Sequence, residues 1–316
     1  MKVLLTGADG FVGGWLARRM LECGHSVVGT HRRGTGPSPV LSSGEAARVE
    51  WRELELGSAE SIDQALRGRW DAVVHLAALS SGSEARENPG LAWEVNAAGT
   101  ARLAEVLGLR TATRQGDPNF LLVSTGEVYG AGRGVSRKEG DPALPCSPYA
   151  GSKLGAEVAA LEVSRRTGLR VMIARPFPHT GPGQDIRFVV PALASRIVAA
   201  KRIGAPVIKS GNLGNVRDFL DVRDVADAYL ALLERGTAGE VYNIASGEGF
   251  ALTDVLNRLE RLTQWKVRPE LEPRLARRSD IQHLVGDASK LRADTGWKPQ
   301  LSFDRTLQDL LNAQAD

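Results

Sequence analysis

The stretch Thr6-Gly7-Ala8-Asp9-Gly10-Phe11-Val12-Gly13 directly follows the apolar run Val3-Leu4-Leu5. Its glycines are spaced Gly-x-x-Gly-x-x-Gly, and apolar residues recur at helical spacing from Phe11 onward. Such glycines permit a tight turn and a close approach of the backbone, and the N–H groups at a helix start attract a pyrophosphate. The stretch therefore predicts a strand, a dinucleotide-binding loop and a helix, with a purely structural turn as the alternative. The residues expected to contact the dinucleotide are Gly7, Asp9, Gly10, Phe11, Val12 and Gly13.

Beyond this loop, short apolar runs alternate with helical patterns. Runs of strand length occupy residues 26–30, 72–76, 120–123 and 169–174, and residues 34–44 form a predicted surface loop. Continuous apolar strands that alternate with helices are typical of a parallel sheet with right-handed crossovers. We therefore predict an α/β fold, a doubly wound Rossmann sheet with a smaller C-terminal α/β domain. Further predicted elements are helices at 189–201, 221–235, 252–262 and 303–311 and a strand at 241–245.

Composition narrows the class of protein. The 316 residues include 40 Lys and Arg against 37 Asp and Glu, and 42% are hydrophobic, which is typical of a globular protein rather than a disordered, collagenous or coiled-coil chain. No apolar run reaches the roughly 18 residues of a membrane span. The two cysteines, Cys23 and Cys146, can form neither a disulfide framework nor a four-ligand zinc site, and they fit a cytoplasmic location. We expect no metal, no nucleic acid and no membrane partner.

The residue that reads the cofactor ribose is expected about 20 residues after the glycine loop, at the end of the second strand. No acidic residue occurs between Glu22 and Glu45, and the strand ends in His31-Arg32-Arg33. The carboxylate that would bind the 2′-hydroxyl of NAD is therefore missing, whereas two guanidinium groups are available for a 2′-phosphate. Arg32 and Arg33 predict a preference for NADP, with NAD as the second choice. The alternative is that both are solvated loop residues.

A second motif, Tyr149-Ala150-Gly151-Ser152-Lys153, contains Tyr-x-x-x-Lys. On a helix, these two side chains lie on one face, where the ammonium can lower the pKa of the phenol from its usual value near 10. Such a tyrosine can exchange a proton with a carbonyl or alcohol oxygen while hydride moves to or from the carbon. Alone the pattern is common by chance, but after a complete dinucleotide loop it indicates a dehydrogenase or reductase.

With these motifs, the chain resembles the extended short-chain dehydrogenases/reductases that act on nucleotide sugars, over nearly its full length. The other segments that carry the resemblance are His75-Leu76-Ala77-Ala78, Val95-Asn96-Ala97-Ala98-Gly99-Thr100 and Val123-Ser124-Thr125-Gly126-Glu127-Val128-Tyr129-Gly130. The resemblance implies that Thr125 positions the reacting sugar oxygen, Tyr149 exchanges its proton, and Lys153 tunes Tyr149 and holds the cofactor ribose. It also implies cofactor contacts from Leu76, Ala77, Ala78, Tyr149, Lys153 and Pro176. We interpret His75 and Asn96 as structural, with a catalytic role as the alternative for Asn96.

Within this family, the second half is most similar to the GDP-4-keto-6-deoxy-D-mannose reductases. The segments responsible include Arg175-Pro176-Phe177-Pro178-His179-Thr180-Gly181-Pro182-Gly183-Gln184 and Val216-Arg217-Asp218-Phe219. The similarity implies NADPH-dependent reduction of the C4 ketone to GDP-D-rhamnose, with Arg217 and Arg277 on the diphosphate and His179 in the substrate site. One departure is Pro178, which stands where that subgroup has an asparagine and which supplies no donor for the substrate.

The resemblance also predicts the organisation of the chain. Residues 1–175, with about 216–245, would form the NADP-binding Rossmann domain, and residues 176–215 and 246–316 the nucleotide-sugar-binding domain. The helices around residues 92–107 and 149–165 would form a homodimer interface.

Three other functions stay open at this level. Glu127 could remove a C5 proton, as in the related 4,6-dehydratases. A 4-epimerase would keep its cofactor tightly bound and need no net reductant. A redox-sensing or RNA-binding relative could retain the fold without turnover.

Overall fold

The main sheet contains seven strands, all paired in parallel, in the order β11-β6-β5-β4-β1-β2-β3. It is seen in a computed structural model that describes residues 1–131, 134–275 and 281–315. The strands are β1 Lys2–Thr6, β2 Ser26–His31, β3 Glu50–Glu53, β4 Ala72–His75, β5 Asn119–Val123, β6 Arg170–Pro176, β7 His179–Thr180, β8 Val207–Ser210, β9 Val216–Arg217, β10 Leu220–Asp221, β11 Val241–Ile244, β12 Phe250–Ala251, β13 Arg268–Leu271 and β14 His283–Leu284. The strand order reverses between β1 and β4, which is where doubly wound sheets bind their ligands.

Helices connect the strands and cover both faces of the sheet. They are α1 Phe11–Glu22, α2 Ser43–Ala46, α3 Ala59–Ala65, α4 Gly82–Glu87, α5 Pro89–Ala92, α6 Gly99–Ala112, α7 Pro148–Thr167, α8 Val189–Arg202, α9 Val222–Arg235, α10 Leu252–Thr263, α11 Ser289–Thr295 and α12 Phe303–Ala315. A π-helical segment, Trp93–Ala98, joins α5 to α6, and two 3₁₀ turns span Gly126–Tyr129 and Pro273–Leu275.

Alternate residues of the central strands enter two separate cores. Val3 and Leu5 of β1 join α1 and α9 on one face of the sheet, whereas Leu4 joins α3, α6 and α7 on the other. Because both faces are covered, these strands are apolar throughout, and each fully buried Leu or Val stabilises the fold by roughly 1.5–3 kcal/mol. The predicted Rossmann sheet is confirmed.

A third core lies outside the main sheet. It joins α8, α10 and α12 through side chains such as Leu193, Ile197, Leu256, Leu259 and Leu307. Three small sheets, β10-β7, β12-β9-β14 and β13-β8, accompany these helices. The chain leaves the main sheet after β6 and returns to it at β11, next to β6. This third core outside the main sheet supports a division into two domains. The domain boundaries at the predicted residues remain a prediction.

Several elements were not predicted from the sequence, such as α3, α4 and α11, and three differences have a clear physical reason. The apolar pattern does not predict β3, because Glu50-Trp51-Arg52-Glu53 is mostly charged and forms a strand only as the edge partner of β2. The predicted loop at 34–44 ends in helix α2, whose N-terminal Ser42 and Glu45 form a capping box. In the predicted helix that begins near residue 92, the first turns are π-helical.

Neither a membrane span nor a metal cluster is found in the described ranges. No helix there is long and apolar enough to cross a membrane. The same ranges contain no group of three or more His, Cys, Asp or Glu side chains arranged to hold a metal ion.

Candidate active site

The glycine loop joins β1 to α1 and leaves no space for a Cβ at Gly7 or Gly13. Gly7 has φ +71°, and a Cβ there would lie 2.8 Å from the backbone nitrogen of Ala77. A Cβ on Gly13 would lie 2.1 Å from the carbonyl oxygen of Gly7. Gly10 caps α1 without a side-chain hydrogen bond, so the first N–H groups, which include those of Phe11 and Val12, can bind an anion. The loop therefore fits a dinucleotide pyrophosphate.

The segment after β4 packs directly against this loop. Ala77 N donates to Thr6 Oγ1 at 3.2 Å, so Leu76, Ala77 and Ala78 lie beside Gly7 as predicted for the cofactor site. His75 is buried, and its two ring nitrogens lie 2.7 Å from Thr6 Oγ1 and 3.1 Å from Thr100 Oγ1. Burial and the nearby Lys153 lower the pKa of His75 to about 3, so the ring is neutral. His75 therefore holds β1, β4 and α6 together.

We expect Gly13→Ala to weaken NADPH binding by about tenfold or more, because the loop must absorb a backbone clash that typically costs about 1–3 kcal/mol. Fluorescence titration with NADPH measures the effect. Gly116→Ala is the matched control, since a Cβ at Gly116 meets no atom within 4 Å. Unchanged affinity in a folded Gly13→Ala protein would contradict this account of the loop.

The loop after β2 presents two exposed arginines, Arg32 and Arg33, beside the glycine loop. The carboxylate of Asp9 accepts hydrogen bonds from Thr35 Oγ1 at 2.9 Å and from the backbone nitrogen of Arg32 at 3.4 Å. Asp9 thus ties the two loops together and keeps Arg32 near the start of α1.

Acidic side chains approach Arg33 from the β3 side. Its backbone nitrogen donates to Glu55 Oε1 at 3.0 Å, and its Nε lies 3.7 Å from Glu53 Oε2. These two carboxylates follow Glu45 in the sequence and reach Arg33 only because β3 pairs with β2, so the segment between Glu22 and Glu45 does not reveal them. They partly offset the charge of Arg33.

Helix α7 positions Tyr149 and Lys153. Ser147 caps its start by accepting a hydrogen bond from Ala150 N at 3.1 Å, and Pro148 occupies the first turn, where a proline costs no hydrogen bond. Tyr149 and Lys153 follow on one face of the helix, as the spacing predicts.

Thr125 lies at the end of β5 and is hydrogen-bonded to Tyr149. Its hydroxyl also accepts from the backbone nitrogen of Glu127 at 3.2 Å, which fixes the 3₁₀ turn that carries Glu127. Burial and the Glu127 carboxylate raise the pKa of Tyr149, although the Thr125 hydrogen bond opposes them. The expected lowering of this pKa is not found in the protein by itself, because burial and the Glu127 carboxylate dominate. Tyr149 therefore holds its proton.

Lys153 is itself buried. Its burial lowers the pKa of the ammonium to about 8, while Glu157, one turn further along α7, raises it. Asn96 of the π-helical segment donates to Ser152 Oγ at 2.9 Å and to Leu79 O at 3.1 Å, and it accepts from Leu79 N. These contacts join the segment after β4 to α7, in agreement with the structural interpretation of Asn96.

A cavity of about 440 Å³ opens in front of these residues. The residues that line it include Thr125, Glu127, Tyr149, Pro176, His179 and Arg217. The structure thus brings all of these predicted residues together, and Pro178 lines the same cavity. Arg277 lies outside the described residues.

His179 is fixed in this wall by its own loop. Its Nδ1 lies 2.9 Å from the carbonyl oxygen of Phe177. Burial lowers its pKa, although that contact and Asp221 oppose the change, so the ring faces the cavity as a neutral group.

Several residues of the cavity wall were missed by the sequence interpretation. Ser81, Ser83, Arg187 and Arg196 all line it. Ser81 and Ser83 share a hydrogen bond of 2.9 Å, and they follow the predicted His-Leu-Ala-Ala segment closely enough to have been candidates. Arg187 lies just before α8 and Arg196 lies within it; neither belongs to a motif, and only the fold brings them to the cavity.

Known proteins share this fold and sequence. The family described as GDP-mannose 4,6 dehydratase matches residues 4–310. The GDP-6-deoxy-D-mannose reductase of Pseudomonas aeruginosa is 36% identical over 245 residues, 77% of this chain and 79% of that protein. The structure of RMD from Pseudomonas aeruginosa complexed with NADPH has a TM-score of 0.82 and 30% identity, covering 99% of this chain and 98% of that chain. The UDP-glucose 4-epimerase of Thermus thermophilus in complex with NAD has a TM-score of 0.84 and 29% identity, with the same coverage.

Proposed function

Because this chain belongs to the GDP-mannose 4,6 dehydratase family, we propose that it is an NADPH-dependent reductase of the C4 ketone of GDP-4-keto-6-deoxy-D-mannose, with GDP-D-rhamnose as product. The resemblance to the extended short-chain dehydrogenases/reductases is confirmed by that match and by the relatives. The chain is an NAD(P)-dependent nucleotide-sugar oxidoreductase. The finer assignment to this sugar rests on the 36% identity to a GDP-6-deoxy-D-mannose reductase and on the cavity beside Tyr149.

The cofactor is NADP, with NAD as the second choice. Gly7, Gly10 and Gly13 would hold its pyrophosphate at the start of α1, and Arg32 with Arg33 would face its 2′-phosphate. Lys153 would hold its ribose, next to the segment 76–78. When bound, the reduced cofactor supplies hydride to the ketone carbon.

The proton that the reduced oxygen needs would come from Tyr149. The observation that carries the proposal is that Thr125 and Tyr149, hydrogen-bonded to each other, line the same cavity. Burial and Glu127 raise the pKa of Tyr149, so it is protonated in the protein by itself. A phenol that keeps its proton is ready to act as a general acid toward a ketone. Dehydration and epimerisation begin with oxidation of an alcohol, which requires the phenolate instead. What favours reduction over these two reactions is the 36% identity to a GDP-6-deoxy-D-mannose reductase.

The substrate would lie in the cavity with its ketone oxygen at Thr125 and Tyr149. Arg217, together with Arg277, would bind the diphosphate, because guanidinium groups match pyrophosphate oxygens well. His179 would contact the sugar or phosphate from the wall that it lines. Pro178 gives this wall an apolar surface where the reductase subgroup has an amide, so the adjacent His179 is the polar side chain that would replace it.

A homodimer would use the helices around residues 92–107 and 149–165, which are the π-helical segment with most of α6, and α7. Trp93 and Val158 on this surface are large apolar residues that are about half exposed or more, and Leu91 extends the apolar area. We keep this interface as a proposal. A cytoplasmic location, expected from the two cysteines, also stays a prediction.

GDP-mannose 4,6-dehydratase activity is the second candidate, and Glu127 favours it. The Glu127 carboxylate is close enough to Tyr149 to raise its pKa, so both groups could reach one sugar ring. In that reaction Glu127 would remove a proton from C5 after oxidation at C4.

The two functions differ in redox balance. We expect the protein to consume NADPH with GDP-4-keto-6-deoxy-D-mannose and to leave GDP-mannose unchanged without added reductant. Absorbance at about 340 nm, where the reduced nicotinamide absorbs, and NMR of the sugars measure both reactions. Conversion of GDP-mannose to a keto sugar, lost in Glu127→Gln, would overturn the reductase proposal in favour of the dehydratase.

A further inference from the structure

A buried ionic cluster lies one turn of α7 beyond Lys153. Its centre is an ion pair in which Arg175 donates to Glu157 from Nε at 3.0 Å and from Nη2 at 2.6 Å. The two side chains are only 8% and 3% exposed. A buried charge pair costs desolvation free energy and is seldom retained for stability alone. Its position therefore suggests a task related to the site.

Glu157 contacts both parts of the catalytic apparatus. It follows Lys153 by one turn of α7, and it is the group that opposes the effect of burial on the ammonium pKa. It also accepts a hydrogen bond from Ser124 Oγ. Ser124 N donates to Ala174 O at 2.7 Å, so Glu157 fixes the residue directly before Thr125 between β5 and β6.

Arg175 is held in place from its other side. Its Nη1 donates to Tyr129 Oη at 3.0 Å, and Tyr129 Oη in turn donates to Asn243 Oδ1 at 2.7 Å. The guanidinium carbon also lies 4.9 Å from the centre of the Tyr129 ring. Arg175 therefore keeps its charge and its position, and one carboxylate, Glu157, has to compensate two buried cations.

We propose that Glu157 is a positioning residue that keeps Lys153 charged, because its buried carboxylate, paired with Arg175, lies one turn of α7 from Lys153, and that it fixes Thr125 through Ser124. Without that carboxylate, the ammonium would share a dry interior with the fixed guanidinium and would lose its proton at a lower pH. This proposal rests on the proposed function at one point, the assumption that Lys153 holds the cofactor.

Other charged and titratable groups around Lys153 do not replace Glu157. His75 is neutral, and Tyr149 keeps its proton. Glu127 acts on Tyr149, while Glu105 of α6 pairs with Arg166 near the far end of α7. Glu84 of α4 approaches Arg187. The remaining polar groups from the π-helical segment and α6 are the neutral Asn96 and Thr100.

The test is a pH titration of Lys153 in the ligand-free protein, by NMR of lysine ε-carbons, with Lys153→Arg to assign the signal. In Glu157→Gln we expect the midpoint to fall by about one pH unit or more, from its starting value near 8. The pH above which NADPH affinity declines should fall by the same amount. Glu162→Gln, on the exposed face of α7, should move neither.

An unchanged midpoint in folded Glu157→Gln would overturn the proposal, even if the variant is less stable, because a structural role lowers stability without moving this titration. If Glu157→Gln does not fold, Glu157→Asp is used instead. Aspartate keeps the negative charge, but its side chain is shorter, so the charge lies further from Lys153. We then expect a smaller downward shift of the Lys153 midpoint. No shift in that variant would also overturn the proposal. Neither readout needs the sugar substrate, so failure of the reductase assignment would leave this test intact.

Discussion

Tyr149→Phe is expected to lower kcat for ketone reduction by about 10²- to 10⁴-fold, the usual contribution of a positioned general acid. The ring remains to fill the same space, and only the hydroxyl that donates the proton is lost. The cofactor loop lies on another element, so NADPH affinity should change little. Steady-state NADPH oxidation gives kcat, and fluorescence titration gives the affinity.

Tyr229→Phe is the matched control for this variant. Tyr229 is buried, and its hydroxyl has no hydrogen-bond partner in the described part of the chain, so removing it breaks no hydrogen bond. We expect its kcat to stay near that of the wild type. A Tyr149→Phe enzyme with a kcat like that of the control would exclude Tyr149 as the acid.

The second large effect concerns the choice of cofactor. We expect Arg32→Ala to lower kcat/KM for NADPH by about 10- to 100-fold, since a charge-assisted hydrogen bond contributes about 1.5–3 kcal/mol. Kinetics with NADH should change far less, because NADH lacks the 2′-phosphate. Arg33→Ala should have the smaller effect of the two, since Glu53 and Glu55 already contact Arg33.

Arg69→Ala removes the same charge from the opposite end of the sheet and serves as the control. Arg69 is exposed and lines a surface groove with Trp70, Asp71 and Asn119, at the start of β4 and β5. Its replacement should leave the NADPH to NADH ratio unchanged. Equal losses with both cofactors in Arg32→Ala would show that this arginine supports the loop rather than reading the phosphate.

Local patterns were sufficient to predict the Rossmann sheet, the glycine loop and the pairing of Tyr149 with Lys153, whereas Thr125, His179 and Arg217 were expected only from the family resemblance. The strand and helix bounds near Gly7–Gly13, and the pairing of Tyr149 with Lys153, follow from glycine spacing, apolar runs and helical geometry. Each of these features depends on residues that are close together in the chain. The edge strand β3 was missed because its residues are charged and only its pairing with β2 makes it a strand.

Features that depend on distant contacts could not be read from the sequence. Arg175 and Glu157 lie on different elements, and nothing in their local sequence shows that both are buried. Glu53 and Glu55 reach Arg33 only because β3 lies beside β2. The direction of the Tyr149 pKa shift could not be predicted for the same reason. The motif shows Lys153, but it does not show that the tyrosine is buried.

The most direct test of the central claim is the stoichiometry of the reaction with GDP-4-keto-6-deoxy-D-mannose. We expect one NADPH to be consumed for each GDP-D-rhamnose formed, with the product identified by NMR and with no reaction in Tyr149→Phe on the same time scale. Sugar conversion without net loss of NADPH, or no conversion of this substrate at all, would contradict the assignment as a C4 ketone reductase.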